Sequence, residues 1–135
     1  MEPMRVLVSE LSPDTAPGTV FDRYADAGVL AHQVCEACGT AFFPPRVLCP
    51  SCGAGELEWR PSSGRGVVYS ATTIAPRGGA PYTVALVDLD EGYRMMSTVS
   101  DPDGGEVAIG DAVTVRFEPR DDASALPVFD KAAQR

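Results

Sequence analysis

Cys35-Glu36-Ala37-Cys38-Gly39 and Cys49-Pro50-Ser51-Cys52-Gly53, with residues 39–48 between the two cysteine pairs, are the stretch on which the fold turns. Two intervening residues let both sulfurs of a pair reach one metal from a tight turn. The glycine that follows admits a positive φ, so that backbone N–H groups can turn toward the sulfurs. Repeated, the unit offers four thiolates, a closed tetrahedral set suited to a structural Zn²⁺. The same four residues would serve an iron in a rubredoxin-like site, and the Cys-Pro-x-Cys-Gly knuckle is typical of such sites. Two disulfides are the third use of them, against the strain of Cys-x-x-Cys loops. The ten-residue spacer favours the zinc ribbon. With four cysteines as ligands, no open position remains for chemistry at the metal, and zinc is expected to hold together a segment too small to fold on its own core. His32, the only histidine, is expected to be an ordinary strand residue, because the ligand set is complete without it.

Outward from the knuckles, the chain punctuates itself with turns. Its 135 residues include 13 glycines and 12 prolines, and hydrophobic residues make up 44 % against 22 % charged, which predicts a globular, turn-rich chain without long helices. On the N-terminal side, Val6-Leu7-Val8 is a short apolar run, followed by a Ser/Pro/Gly stretch from Leu11 to Thr19 that suggests an arm and a loop. Val20, Phe21, Tyr24 and Ala27 recur at helical spacing, with Asp22 near the expected start and Gly28 at the end. Val29 to Val34 is expected to be extended, and Leu57 to Arg60 a short strand.

After Pro61-Ser62-Ser63-Gly64, a linker-like stretch, the pattern becomes β. Val67 to Ile74, Tyr82 to Leu89, Tyr93 to Val99, the alternating Val113, Val115 and Phe117, and Leu126 to Phe129 predict five strands, with Asp90-Glu91-Gly92 as a tight hairpin. Five strands joined by short turns suggest a small closed barrel. The expected organisation is an arm and short helix over 1–28, a zinc ribbon over 29–61, a barrel over 65–130 and a tail over 131–135.

The formal charge of −8 comes from 19 acids against 11 bases, and a four-thiolate zinc site adds about −2. Such a field opposes phosphate backbones and anionic membranes. No apolar run approaches the ~20 residues of a membrane span, and Met1-Glu2-Pro3-Met4-Arg5 lacks the features of a signal peptide. A cytoplasmic protein is expected, in a compartment where paired cysteines bind metal more often than they form disulfides.

The succession of motifs resembles a family. Gly28-x-Leu30-x-x-Gln33-x-Cys35-x-x-Cys38-Gly39 and Pro44-Pro45-Arg46-x-x-Cys49-Pro50-x-Cys52 are similar to the opening of the zinc-ribbon/OB-fold proteins associated with acyl-CoA metabolism. The likeness continues through Leu57-Glu58-Trp59, Ser63-Gly64-Arg65-Gly66-Val67-Val68-Tyr69-Ser70 and Pro81-Tyr82-x-Val84-Ala85-Leu86-Val87-x-Leu89-Asp90-Glu91-Gly92, and ends at Gly110-Asp111-x-Val113-x-Val115-x-Phe117. It covers about residues 19–130. The resemblance implies a mostly β chain: a short N-terminal helical segment, a rubredoxin-like zinc ribbon and a C-terminal five-stranded OB-fold barrel. It further implies an accessory subunit, in a hetero-oligomer, of a thiolase-fold enzyme (thiolase or side-chain aldolase) or of a hot-dog-fold enoyl-CoA hydratase, helping to scaffold the enzyme and hold or channel acyl-CoA.

The residues themselves show no catalytic constellation: Ser63 and Ser70 lack a nearby base in the sequence, and the acids are spread over turns. Arg46, Arg65 and Arg77 are candidates to meet CoA phosphates, and Phe42, Phe43 and Trp59 to line an acyl or partner surface. Each has a plainer expectation beside it, as surface arginines and as packing between ribbon and barrel. Three further functions compete with the accessory subunit. A nucleic-acid-binding module suits both ribbons and OB barrels, although Leu30 to Gly66 balances Arg46, Arg60 and Arg65 against Glu36, Glu56 and Glu58. The others are a rubredoxin-like electron carrier and an enzyme acting alone, such as a thioesterase.

Overall fold

The computed structural model describes residues 4–7 and 15–132. Two β units follow one another along the chain. The first is a four-stranded sheet in the order β1-β4-β2-β3, built from β1 (Met4–Leu7), β2 (Ala31–Cys35), β3 (Ala41–Phe42) and β4 (Glu56–Pro61). The second is a closed barrel in the order β5-β6-β7-β9-β8, built from β5 (Arg65–Ile74), β6 (Tyr82–Leu89), β7 (Arg94–Ser100), β8 (Ala112–Glu118) and β9 (Leu126–Lys131). All barrel pairs are antiparallel except β7 with β9, and β5 closes the ring on β8. This is the small closed barrel that the strand count suggested, in the five-stranded OB arrangement that the resemblance implied.

The helix α1 (Pro17–Asp26) starts three residues before the periodic apolar run, because Pro17 occupies its first turn, where a missing N–H costs nothing. Asp22 therefore lies mid-helix, and the first turn carries no acidic residue. The end is as expected. Gly28 (φ 77°) donates its N–H to the Ala25 carbonyl and Val29 donates to that of Tyr24, the paired bonds of a Schellman stop. Val20, Tyr24 and Ala25 are buried, and the first two pack with Ala31 and Trp59, so the helix lies against the ribbon sheet. The N-terminal apolar run is not a free arm at its start: β1 pairs antiparallel with β4, from Met4 opposite Trp59 to Leu7 opposite Glu56. Val8, the last residue of that run, lies outside the described residues.

Leu30, Val68, Ala85, Val87, Tyr93, Val113 and Phe129 belong to one buried cluster in the barrel, on which Phe21, Ala41 and Phe43 of the N-terminal half also pack. Where the linker enters the barrel, two glycines are dictated by space. A Cβ on Gly64, whose φ is 77°, would fall on the Val115 side chain. One on Gly66 would lie 2.5 Å from the Asp88 carbonyl oxygen and 2.8 Å from the Val87 side chain. The first obstacle at Gly66 is backbone that cannot rotate away, so Gly66→Ala is expected to destabilise the barrel by about 1–3 kcal/mol, the usual cost of overpacking. A thermal unfolding midpoint equal to that of the parent would contradict this close approach.

Candidate functional site

Each cysteine pair sits on a turn of the same construction. In the first, the Cys35 N–H donates to the Thr40 carbonyl and the Gly39 N–H returns to that of Cys35 (2.9 and 2.8 Å). In the second, Cys49 donates to Ala54 and Gly53 to Cys49 (2.8 and 3.0 Å). Gly39 and Gly53 have φ of 78° and 81°, the conformation expected from the sequence. The first cysteine of each pair is buried and the second exposed.

The four sulfurs all lie within 4.8 Å of one another, with Cys35 to Cys52 at 3.6 Å and Cys38 to Cys49 at 3.7 Å. A tetrahedron of thiolates about 2.3 Å from zinc has edges of about 3.8 Å, so the cage fits the ion. Its electrostatics point the same way. The Thr40 hydroxyl, 3.1 Å from the Cys38 sulfur, leads the interactions that bring that thiol down to about 6. At Cys52 the Ala54 N–H pulls the same way, but the crowding by the Cys35 and Cys38 sulfurs outweighs it and pushes the thiol up to about 12. Four thiols this close cannot all release their protons unless a cation balances them.

Behind the cage, Phe42 packs with Cys35, Cys49 and Leu57. The spacer is held by a residue that the sequence marks only as part of the family motif. Gln33, buried in β2, accepts from the Arg46 N–H (2.7 Å) and donates to its carbonyl (2.8 Å). Both polar ends of the amide are thus satisfied. Gln33 is recognisable in retrospect as an amide in the middle of a strand whose five residues are all buried.

The other candidate residues divide. Trp59 is 1 % exposed, between α1 and the ribbon sheet, and Phe42 is 6 % exposed beside the cage. Their surface is used internally, with no face left for an acyl group or a partner. Phe43 is different. Its ring meets Phe21 at 5.3 Å between centroids, and both border a groove of about 340 Å³ completed by Met95, Met96 and Thr98 of the barrel and by Leu126 and Pro127 at the start of β9. No charged side chain lines it. Met96 is 67 % exposed there. In the sequence Phe21 is legible only as part of the helical pattern, and Met96 has the hydropathy of an ordinary core residue.

The three arginines do not share one site. Arg46 is exposed on the spacer. Arg65 opens β5 and faces Asp90 at 3.6 Å, whereas Arg77 lies beyond the other end of that ten-residue strand, roughly 30 Å along it. No helix among the described residues is long and apolar enough to cross a membrane.

Residues 24–58 match the model of the ChsH2 rubredoxin-like zinc ribbon domain, and residues 59–118 that of the ChsH2 C-terminal OB-fold domain. A DUF35 domain-containing scaffold protein of Methanothermobacter thermautotrophicus is 40 % identical over 94 residues, 65 % of this chain and 71 % of that protein. The chain belongs to the DUF35 scaffold-protein family. The ribbon of this DUF35 protein is accordingly a zinc ribbon, with Cys35, Cys38, Cys49 and Cys52 clustered to bind the ion. The chain is also similar to the benzoylsuccinyl-CoA thiolase subunit BbsA of Thauera aromatica, at 34 % identity over 73 residues, 52 % of this chain and 51 % of that subunit. Among solved structures, the Ltp2-ChsH2(DUF35) aldolase has a chain that superposes with a TM-score of 0.74 at 31 % identity, covering 91 % of this chain and all of that one.

Proposed function

We propose that this DUF35 protein is a non-catalytic accessory subunit that docks on a thiolase-fold enzyme, a thiolase or a side-chain aldolase, and helps to scaffold it and to hold acyl-CoA. An enoyl-CoA hydratase is the alternative partner. The observation that carries the proposal is the likeness, over nearly the whole chain, to the DUF35 component of an aldolase. The chemistry of the molecule supports it. The metal cage is closed by four cysteines, so zinc shapes the ribbon and leaves no position for a substrate. The uncharged groove between α1, the spacer and the barrel suits an apolar group from a partner or an acyl chain.

Two measurements test this. Affinity purification from the native host is expected to recover the chain with a thiolase-like enzyme. Recovery without a protein partner, or turnover of acyl-CoA by the purified chain alone, would overturn the proposal. The variant Met96→Glu alters an exposed groove residue, so the fold is expected to be unaffected. Placing a charge in an apolar contact is expected to weaken binding of the recovered enzyme at least tenfold, the order of a hot-spot loss. Unchanged affinity would exclude the groove from the interface.

A further inference from the structure

The ribbon meets the barrel through an aromatic pair that the metal site does not use. His32 of β2 and Tyr93, the residue after the β6–β7 hairpin, are each 3 % exposed. Their rings lie face to face, 4.4 Å between centroids and 16° between planes. Beside them, Glu91 of the hairpin accepts from the Ser62 hydroxyl and from the Ser63 N–H (2.8 Å), while the Ser62 N–H donates to the Leu30 carbonyl (2.7 Å). Linker, ribbon and barrel hairpin are thus joined in one place.

Two buried polar atoms stand out there: His32 Nδ1 makes no hydrogen bond within the described structure, and the Tyr93 hydroxyl has only the Ser62 hydroxyl, itself bonded to Glu91, to turn to. The imidazole is also hydrogen-bonded to the Arg60 backbone, in the register position opposite His32 on β4.

We propose that His32 is a proton-sensitive latch between the zinc ribbon and the barrel: the neutral imidazole stacks on Tyr93 and keeps the two units joined, and protonation at Nδ1 loosens the joint.

The charges facing the ring set the direction. Burial opposes the charged form most, Glu91 favours it, the Arg60 guanidinium opposes it, and the hydrogen bond to the Arg60 backbone favours it; together they hold the imidazole below its ordinary range. Tyr93, pushed upward by burial, stays neutral throughout. A proton arriving at Nδ1 finds no acceptor in the closed joint. Glu91, the facing acid, is engaged by Ser62 and Ser63, so pairing with it means breaking the bonds that hold the linker. The open or unfolded form, whose histidine titrates near the free value of about 6.5, binds the proton more readily. The stabilising contribution of the neutral stack is therefore complete above that value and is lost as the pH falls below it toward the folded-state pKa.

The single histidine makes the test direct. The full zinc-loaded chain is titrated from pH 8 to 5.5 while imidazole NMR signals, metal content and amide hydrogen exchange at Ser62 are followed, the exchange corrected for its intrinsic pH dependence. The expected midpoint lies below that of the same histidine in the urea-unfolded chain. Opening at Ser62 is expected to rise by up to about tenfold per pH unit, the most that one proton can supply. His32→Phe keeps a stacking ring without the titration, and His32→Gln serves if that variant does not fold; either is expected to flatten the response. The proposal is overturned if the imidazole titrates as in the unfolded chain. It also fails if the variants open with the parent's pH dependence, or if opening merely follows zinc loss. None of these outcomes depends on a partner enzyme, so the accessory function stands or falls separately.

Discussion

Replacing Cys35 by serine is expected to cost the chain its zinc and to unfold the ribbon around it. Cys35 is 1 % exposed and packs with Phe42, Cys49 and Leu57, so this sulfur is at once a ligand and part of the small core behind the cage. A serine hydroxyl does not ionise near neutral pH and cannot replace a thiolate ligand. Structural zinc binds peptides of this size with apparent energies of about 10–16 kcal/mol near neutral pH, and that energy is folding energy. A buried cluster of four residues cannot make up such a loss. The barrel has a larger cluster of its own, and its β signature is expected to survive. Metal analysis and circular dichroism of the purified variant check this. A full equivalent of zinc on Cys35→Ser would refute the four-ligand cage, and complete unfolding would refute the independence of the barrel. Cys38→Ser removes an exposed ligand and is expected to release the metal with less damage to the core and to weaken partner binding.

The second large effect is expected from Trp59→Ala. Trp59 carries the contact between α1 and the ribbon sheet, with its ring 6.1 Å from that of Tyr24 and with Val20 and Ala31 around it. Truncating a buried tryptophan costs about 3–5 kcal/mol, or a fall of roughly 10–20 °C in Tm for a chain of this length. A ten-residue helix has little stability of its own, so its amides are expected to lose hydrogen-exchange protection well before those of the barrel. Calorimetry is the appropriate measurement, because Trp59 is the only tryptophan and the variant loses the usual fluorescence signal. A shift of less than ~3 °C would show that the helix is held by other contacts.

What the sequence disclosed, and what it did not, follows from the range of the forces involved. The knuckles were legible because metal chemistry constrains residue type and spacing locally, down to the positive φ of Gly39 and Gly53. The barrel strands were legible because alternation survives wherever one face is buried, and Tyr82–Leu89 appears with the bounds expected of it. The start of α1 was obscured by Pro17-Gly18, a pair that signals a loop unless the proline is placed in the first turn. The pairing of β1 was invisible, because four residues give no clue to a partner some fifty positions away. Gln33 and His32 gained their roles only from tertiary neighbours, Arg46 in one case and Tyr93 in the other. The aromatic residues also needed the fold: of Phe42, Phe43 and Trp59, only Phe43 borders the groove.

The ring of five strands bears on how the molecule resists aggregation. Closing the sheet into a barrel shortens the rows of unpaired amides it offers to another chain, leaving them only where β5 runs past its pairing with β8 and where β7 meets β9 through Val99 and Ser100 alone. The ribbon sheet does end in open edges. One is β3, two residues long and soon followed by Pro44 and Pro45, which have no N–H to offer an incoming strand. The other is β1. At four residues it too is a short edge, and a short edge limits the length of strand that another chain can add.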